Sequence, residues 1–238
     1  MKLKQIVLAS LIGISQIAYA DEASLKKKIE AAYPKFDVES VVKTPYAGLY
    51  EVFMGGQIVY TDEHLTFLIA EGHLVDPKTK KDITGERLEE LTRIDFNSLP
   101  LNKAIKVVKG NGSRKIAVFS DVDCPFCKKL EQDELSQINN VTIYTFLYPL
   151  EQLHPNAAAK STLIWCAEDR VKAWNNWIFN NQLPKSAGNC KVPLAEIGEL
   201  AGKIGVASTP TLIFADGKRM MGAQPHKVIE AAMKAAAK

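Results

Sequence analysis

Cys124 and Cys127 stand two residues apart in Cys124-Pro125-Phe126-Cys127, just after the apolar run Ile116-Ala117-Val118-Phe119. Two thiols at a strand-to-helix turn form a redox couple. A helix that starts there leaves backbone N–H groups unpaired and brings the positive end of its dipole to the first sulfur, so the Cys124 thiolate is favoured. A free thiol with a pKa of about 8.5 is only about 3% ionised at pH 7, whereas one lowered into the range of about 3.5 to 7.5 is largely thiolate. Cys124 is therefore the expected nucleophile, and Cys127, one turn further in, the expected resolving thiol. The alternative is a structural pair or half of a zinc site; the strand before and the helix after favour the redox couple.

Cys166 and Cys190 complete the set of 4 cysteines. An oxidised C-x-x-C pair bonds to itself, which leaves these two to bridge each other as a structural disulfide; a four-cysteine zinc site is the rival reading. Thr209-Pro210 precedes an apolar strand-like run. A cis-proline ahead of a strand is a costly isomer kept for use, and the backbone groups it exposes can hold an extended peptide. Thr209, Pro210, Pro125 and Phe126 are thus the expected substrate-binding residues. No metal and no cofactor is expected.

Other polar residues suggest less. Asp121 and Asp123 could relay a proton, but a charge there would raise the thiolate pKa, and solvated or capping roles fit them. His64, His73, His154 and His226 are scattered without metal-ligand spacing. Trp165, Trp174, Trp177 and Phe179 read as core, and Lys128 and Lys129 as a solvated helix face. Asn111-Gly112-Ser113 and Asn140-Val141-Thr142 match a glycosylation pattern too short to carry weight.

The elements that must position the sulfurs follow from hydropathy and turn residues. Residues 1–20 read as a cleaved secretory signal: Lys2 and Lys4, an apolar run from Ile6 to Ile14, then Ala18-Tyr19-Ala20 before Asp21. The run is too short to span a bilayer, which needs about 20 apolar residues. The mature protein then lives where disulfides persist. The chain carries a net charge of +3, two units of it on the leader lysines, so nothing points to nucleic acid as a partner.

A helix is expected from Leu25 to Pro34. Strands follow at 49–53 and 57–60 around Gly55-Gly56, then at 65–70 and 73–76, giving a small antiparallel sheet with open edges that invites a partner. Glu86 to Phe96 reads as a charged helix, either packed on one domain or linking two. From Lys115 the expected order is strand, C-x-x-C, helix (Lys128 to Ile138), strand (Val141 to Leu147), a long helical region (Ala157 to Asn180) and a short helix (Leu194 to Gly202). Strands at 211–214 and 219–222 and a last helix close it. This is a thioredoxin-like arrangement with a helical insert at about 150–203, so the fold class is α/β (α+β).

Three motifs carry a family resemblance: Phe119-Ser120-Asp121-Val122-Asp123-Cys124-Pro125-Phe126-Cys127, Ile164-Trp165-Cys166-Ala167-Glu168-Asp169 and Gly205-Val206-Ala207-Ser208-Thr209-Pro210. On these the chain resembles the DsbC/DsbG family of periplasmic thiol:disulfide interchange proteins. The resemblance implies an N-terminal dimerisation domain (21–84), a helical linker (85–100) and a thioredoxin-like catalytic domain (101–238). It also implies a V-shaped periplasmic homodimer with an uncharged cleft, misfolded disulfide-containing secreted proteins as substrates, and a membrane thiol reductase of the DsbD type as recycling partner. Typical DsbC members carry Gly-Tyr between the cysteines; Pro125-Phe126 is closer to the Pro-Tyr of DsbG and the Pro-His of the oxidase DsbA, a dipeptide that helps set reduction potential. The implied activity is disulfide isomerisation, with DsbG-like reduction of single cysteines, net oxidation or a non-enzymatic holdase as alternatives.

Overall fold

Tyr50-Glu51-Val52-Phe53-Met54 is apolar at every position but Glu51, so a strand here puts apolar side chains on both faces and must bury both. In the computed structural model, which describes residues 14–46 and 48–237, both faces are covered. The chain divides into two compact units, Met1–Leu91 and Thr92–Lys238.

The first unit is a three-stranded antiparallel sheet, β1 (Val38–Lys43), β2 (Tyr50–Met54) and β3 (Gln57–Thr61), in the order β1-β2-β3. Helix α1 (Ile14–Ala32) lays Leu25 and Ile29 on Tyr50, Val52 and Met54. Helix α2 (Ile83–Leu91) brings Leu88 and Leu91 to Phe53, Ile58 and Tyr60 on the other face. Gly55 and Gly56 have φ of +58° and +75°, the left-handed pair that a tight hairpin requires. The expected strands at 65–70 and 73–76 are not strands: only single bridges form, Tyr60 with Ile69 and Val75 with Asp82. Asp62 draws the backbone of 64–66 into a local turn, its carboxylate accepting the N–H groups of His64 and Thr66. The charged helix ends at Leu91 rather than at Phe96; Asp95 caps a separate short turn, Phe96–Ser98, by accepting the Asn97 N–H. Most of the expected leader, residues 1–13, lies outside the described residues, while α1 runs without a break across Ala20 and Asp21. Among the described residues no helix is long and apolar enough to cross a membrane.

The second unit is a five-stranded mixed sheet in the order β4-β6-β5-β7-β8. Its strands are β4 (Ile105–Lys109), β5 (Arg114–Ser120), β6 (Val141–Leu147), β7 (Thr211–Phe214) and β8 (Arg219–Met221). β5 lies at the centre, parallel to β6 and antiparallel to β7. Its continuous apolar run follows from that: Ile116 and Val118 pack toward α7 (His226–Ala236), and Ala117 and Phe119 toward α6 (Leu194–Lys203). β4 is an antiparallel edge strand on β6, for which the sequence reading had no counterpart.

The helix after the cysteines is also shorter than expected. Helix α3 is only Pro125–Lys129; a π-helical turn (Leu130–Glu134) and a 3₁₀ turn (Leu135–Gln137) continue it. The long helical region is two helices, α4 (Ala157–Trp165) and α5 (Arg170–Asn180). Asp169 starts α5 as an N-cap, its side chain accepting the Lys172 N–H. Cys166 and Cys190 are joined in a disulfide at the edge of this helical insert.

Candidate active site

β5 delivers the chain to the sulfurs from within the sheet, and α3 begins where the strand stops. Cys124 occupies the cap position of α3, and Pro125 follows at the first helical residue, where a missing N–H costs nothing. The Cys124 carbonyl accepts the N–H groups of Cys127 and Lys128 at 3.1 Å each, which turns the two thiols toward each other. Both cysteines are free thiols and both are buried. Pro125 and Phe126 between them are exposed, Phe126 by 62%.

The two sulfurs ionise in opposite directions. Cys124 is lowered to about 5, chiefly because the Cys127 thiol donates to its sulfur, with the N–H groups of Cys127 and Phe126 adding to this against the cost of burial. Cys127, wholly buried, is raised, first by desolvation and then by its bond to Cys124. A thiolate at Cys124 is therefore available at neutral pH and one at Cys127 is not. The N–H groups at the helix start add to this, but the larger cause is the neighbouring thiol.

Thr209-Pro210 is a cis peptide, and Thr209 lies against the first sulfur. As a thiol, Cys124 Sγ donates to the Thr209 carbonyl at 3.5 Å. The Thr209 hydroxyl is buried with no hydrogen-bond partner around the protonated thiol, and as a donor beside the sulfur it favours the anion. Pro210 is buried and Thr209 half-buried. The fold thus brings Cys124, Cys127, Thr209, Pro210, Pro125 and Phe126 together. Cys166 and Cys190 belong elsewhere, at the edge of the insert.

The insert clasps the loop that carries Cys124. Trp177 Nε1 donates to the Val122 carbonyl at 2.6 Å in the interior. Lys160 Nζ holds both carboxylate oxygens of Asp123 at 2.7 and 2.9 Å, so the negative charge next to Cys124 is paired rather than solvated. Lys160 and Lys128 lie over the Trp177 ring, 4.8 and 4.4 Å from its centroid. Asp121 is fully buried; its carboxylate accepts the N–H groups of Asp123 and Leu150 and faces His154 Nδ1 at 3.0 Å. None of these partners was legible in the sequence, because Trp177, Lys160 and His154 are tens of residues from the cysteines. Among the described residues no group of three or more His, Cys, Asp or Glu stands as a metal-binding cluster.

Comparison with known proteins fits this geometry. Residues 101–237 match the thioredoxin-like domain family, and residues 16–85 match the disulfide bond isomerase protein N-terminal domain. A probable thiol:disulfide interchange protein DsbC of Bordetella parapertussis is 41% identical over 208 residues, 87% of this chain and 72% of that protein. The thiol:disulfide interchange protein DsbC of Dickeya dadantii is 29% identical over 98% of this chain and 95% of its own. Among solved structures, a disulfide interchange protein from Neisseria gonorrhoeae is 42% identical with a TM-score of 0.55, covering 58% of this chain and 98% of that one.

Proposed function

The chain belongs to the DsbC family of thiol:disulfide interchange proteins, and from that premise we propose that it is a periplasmic protein disulfide isomerase with Cys124 as nucleophile. Thiol:disulfide oxidoreductase activity follows from the family and the thioredoxin-like domain. The observation that carries the finer reading is the opposite ionisation of the two sulfurs: the lowered Cys124 thiolate attacks a wrong disulfide in a secreted protein, the S–S bond breaks, and a substrate thiolate leaves. That freed thiolate can attack another pair, and the thiolate displaced from that pair then attacks the mixed disulfide and releases Cys124 unchanged, which is isomerisation. Otherwise Cys127 attacks the Cys124 sulfur, which reduces the substrate and leaves Cys124–Cys127 oxidised. Thr209 and Pro210 hold the substrate backbone beside Cys124, and exposed Pro125 and Phe126 meet its side chains.

Residues 21–84 are the dimerisation domain, 85–100 the linker and 101–238 the catalytic domain of a homodimer that a DsbD-type membrane thiol reductase returns to the dithiol state. The match of residues 16–85 to an isomerase N-terminal domain supports the homodimer. Exposed Phe67, Ile69 and Val75 on that unit suit a buried interface. Sedimentation of the mature protein at micromolar concentration gives a dimer on this reading; a monomer contradicts it. The role of Cys124 is tested by trapping. Cys127→Ser accumulates mixed disulfides with a scrambled substrate, and mass mapping places the bond at Cys124; a bond to any other cysteine overturns the assignment.

A further inference from the structure

Asp121 touches both sulfur-bearing residues through its main chain. Its carbonyl accepts the Cys124 N–H at 3.2 Å, and its own N–H donates to Cys127 Sγ at 3.4 Å. Cys127 is buried in a place that disfavours its anion, so a donor on its sulfur matters most when that sulfur must attack. The Asp121 side chain beside that donor accepts in turn from three donors. Oδ1 accepts the Asp123 N–H at 2.8 Å, and Oδ2 accepts the Leu150 N–H at 2.6 Å and His154 Nδ1 at 3.0 Å. Asp123 and Leu150 bind through the backbone and keep their bonds whatever side chain they carry. His154 is the one of the three that acts through a side chain, and it reaches in from the turn ahead of α4, its ring 23% exposed against 0% for the Asp121 side chain.

We propose that His154 is a positioning residue for the resolving step: by holding the buried Asp121 carboxylate it fixes the Asp121 N–H on Cys127 Sγ when Cys127 attacks. In that step the Cys127 sulfur bonds to Cys124 Sγ, the bond from Cys124 to the substrate sulfur breaks, and the Cys127 proton leaves with the departing substrate sulfur, which carries it out to solvent. The first attack, by Cys124, draws chiefly on the Cys127 thiol, then on the N–H groups of Cys127 and Phe126 and on Thr209, none of which His154 touches. The role rests on the exchange reading above, and the two come apart kinetically. A charge-assisted hydrogen bond to a buried carboxylate is among the stronger ones, so its loss is large enough to read in a rate.

The test is a single-turnover reaction of the reduced full chain with dithiobis-nitrobenzoate, in which Cys124 releases one thionitrobenzoate and Cys127 the second. In His154→Ala the first phase stays within about twofold of wild type and the second slows about tenfold, the kinetic equivalent of one such hydrogen bond. His154→Asn, whose amide N–H can stand where Nδ1–H stood, recovers the second phase to within about threefold of wild type on the same scale. The proposal is overturned if the second phase is unchanged in His154→Ala, if His154→Asn is no faster than His154→Ala, or if both phases slow together with a fall in melting temperature. Cys124→Ser separates the two claims: if its one remaining thiol released thionitrobenzoate as fast as the wild-type first phase, the exchange reading would fall, and the positioning role with it.

Discussion

Cys124 and Cys127 share one motif and one short helix, yet what each sulfur faces makes the first an anion near neutrality and the second a thiol. The depressed value of about 5 at Cys124 fixes a pH dependence. Its thiolate is favoured more in the folded chain than in the unfolded one, so this group adds stability above the unfolded thiol value of about 8.5 and loses it as pH falls through about 5. Alkylation of the reduced protein by iodoacetamide should accordingly map to Cys124, run near its maximum from pH 6 to neutrality, and fall by half near pH 5. A midpoint near 8.5, or faster labelling of Cys127, would contradict the assignment. The cysteines and Thr209-Pro210 were legible because spacing and flanking hydropathy place them locally. Asp121 was legible only as an acid near a sulfur; its partner His154 lies 33 residues away and enters the site through the fold of the turn after β6.

At the scale of elements, β5 was readable because a strand buried on both faces writes a run of apolar residues, and the run ends where the sulfurs begin. β4 was not, since five residues with Lys106 and Lys109 among them carry the weak signal of an edge strand. Nor was the break in the helix after Cys127. Lys109 Nζ reaches across to the carbonyls of Leu135 and Ser136, at 2.5 and 3.2 Å, and such tertiary bonds satisfy a helix end that no local sequence feature marks. The insert was legible as helix but not as a clasp. Trp177→Phe keeps most of the apolar volume and removes the donor to the Val122 carbonyl, so it should cost about 1–3 kcal/mol of stability for the orphaned group and slow the first attack by Cys124. Melting temperature and the rate of the first exchange phase check this; no change in either would mean that the indole only fills space.

For the molecule as a whole, the division into two units matches a division of labour. One carries a small sheet with exposed apolar residues, the other a thioredoxin-like sheet with two reactive sulfurs at its centre. The antiparallel hairpin and the strand–cysteine–helix order were written in turn residues and hydropathy. The segments at 65–70 and 73–76 read as strands because they flank the turn Glu71-Gly72 with apolar residues, but they are held instead by side chain-to-backbone bonds such as Thr61 Oγ1 to the Phe67 carbonyl and Thr84 Oγ1 accepting from the Leu74 N–H. Pro125-Phe126 leaves isomerase, reductase and oxidase chemistry to be told apart by outcome, and a holdase by whether the sulfurs matter at all. The most direct measurement is recovery of native activity by a secreted protein with scrambled disulfides, incubated with the reduced chain and no other thiol. The account predicts that the wild-type chain restores that activity and that Cys124→Ser restores none; equal recovery with Cys124→Ser, or a wild-type reaction that leaves the substrate reduced and inactive, would contradict it.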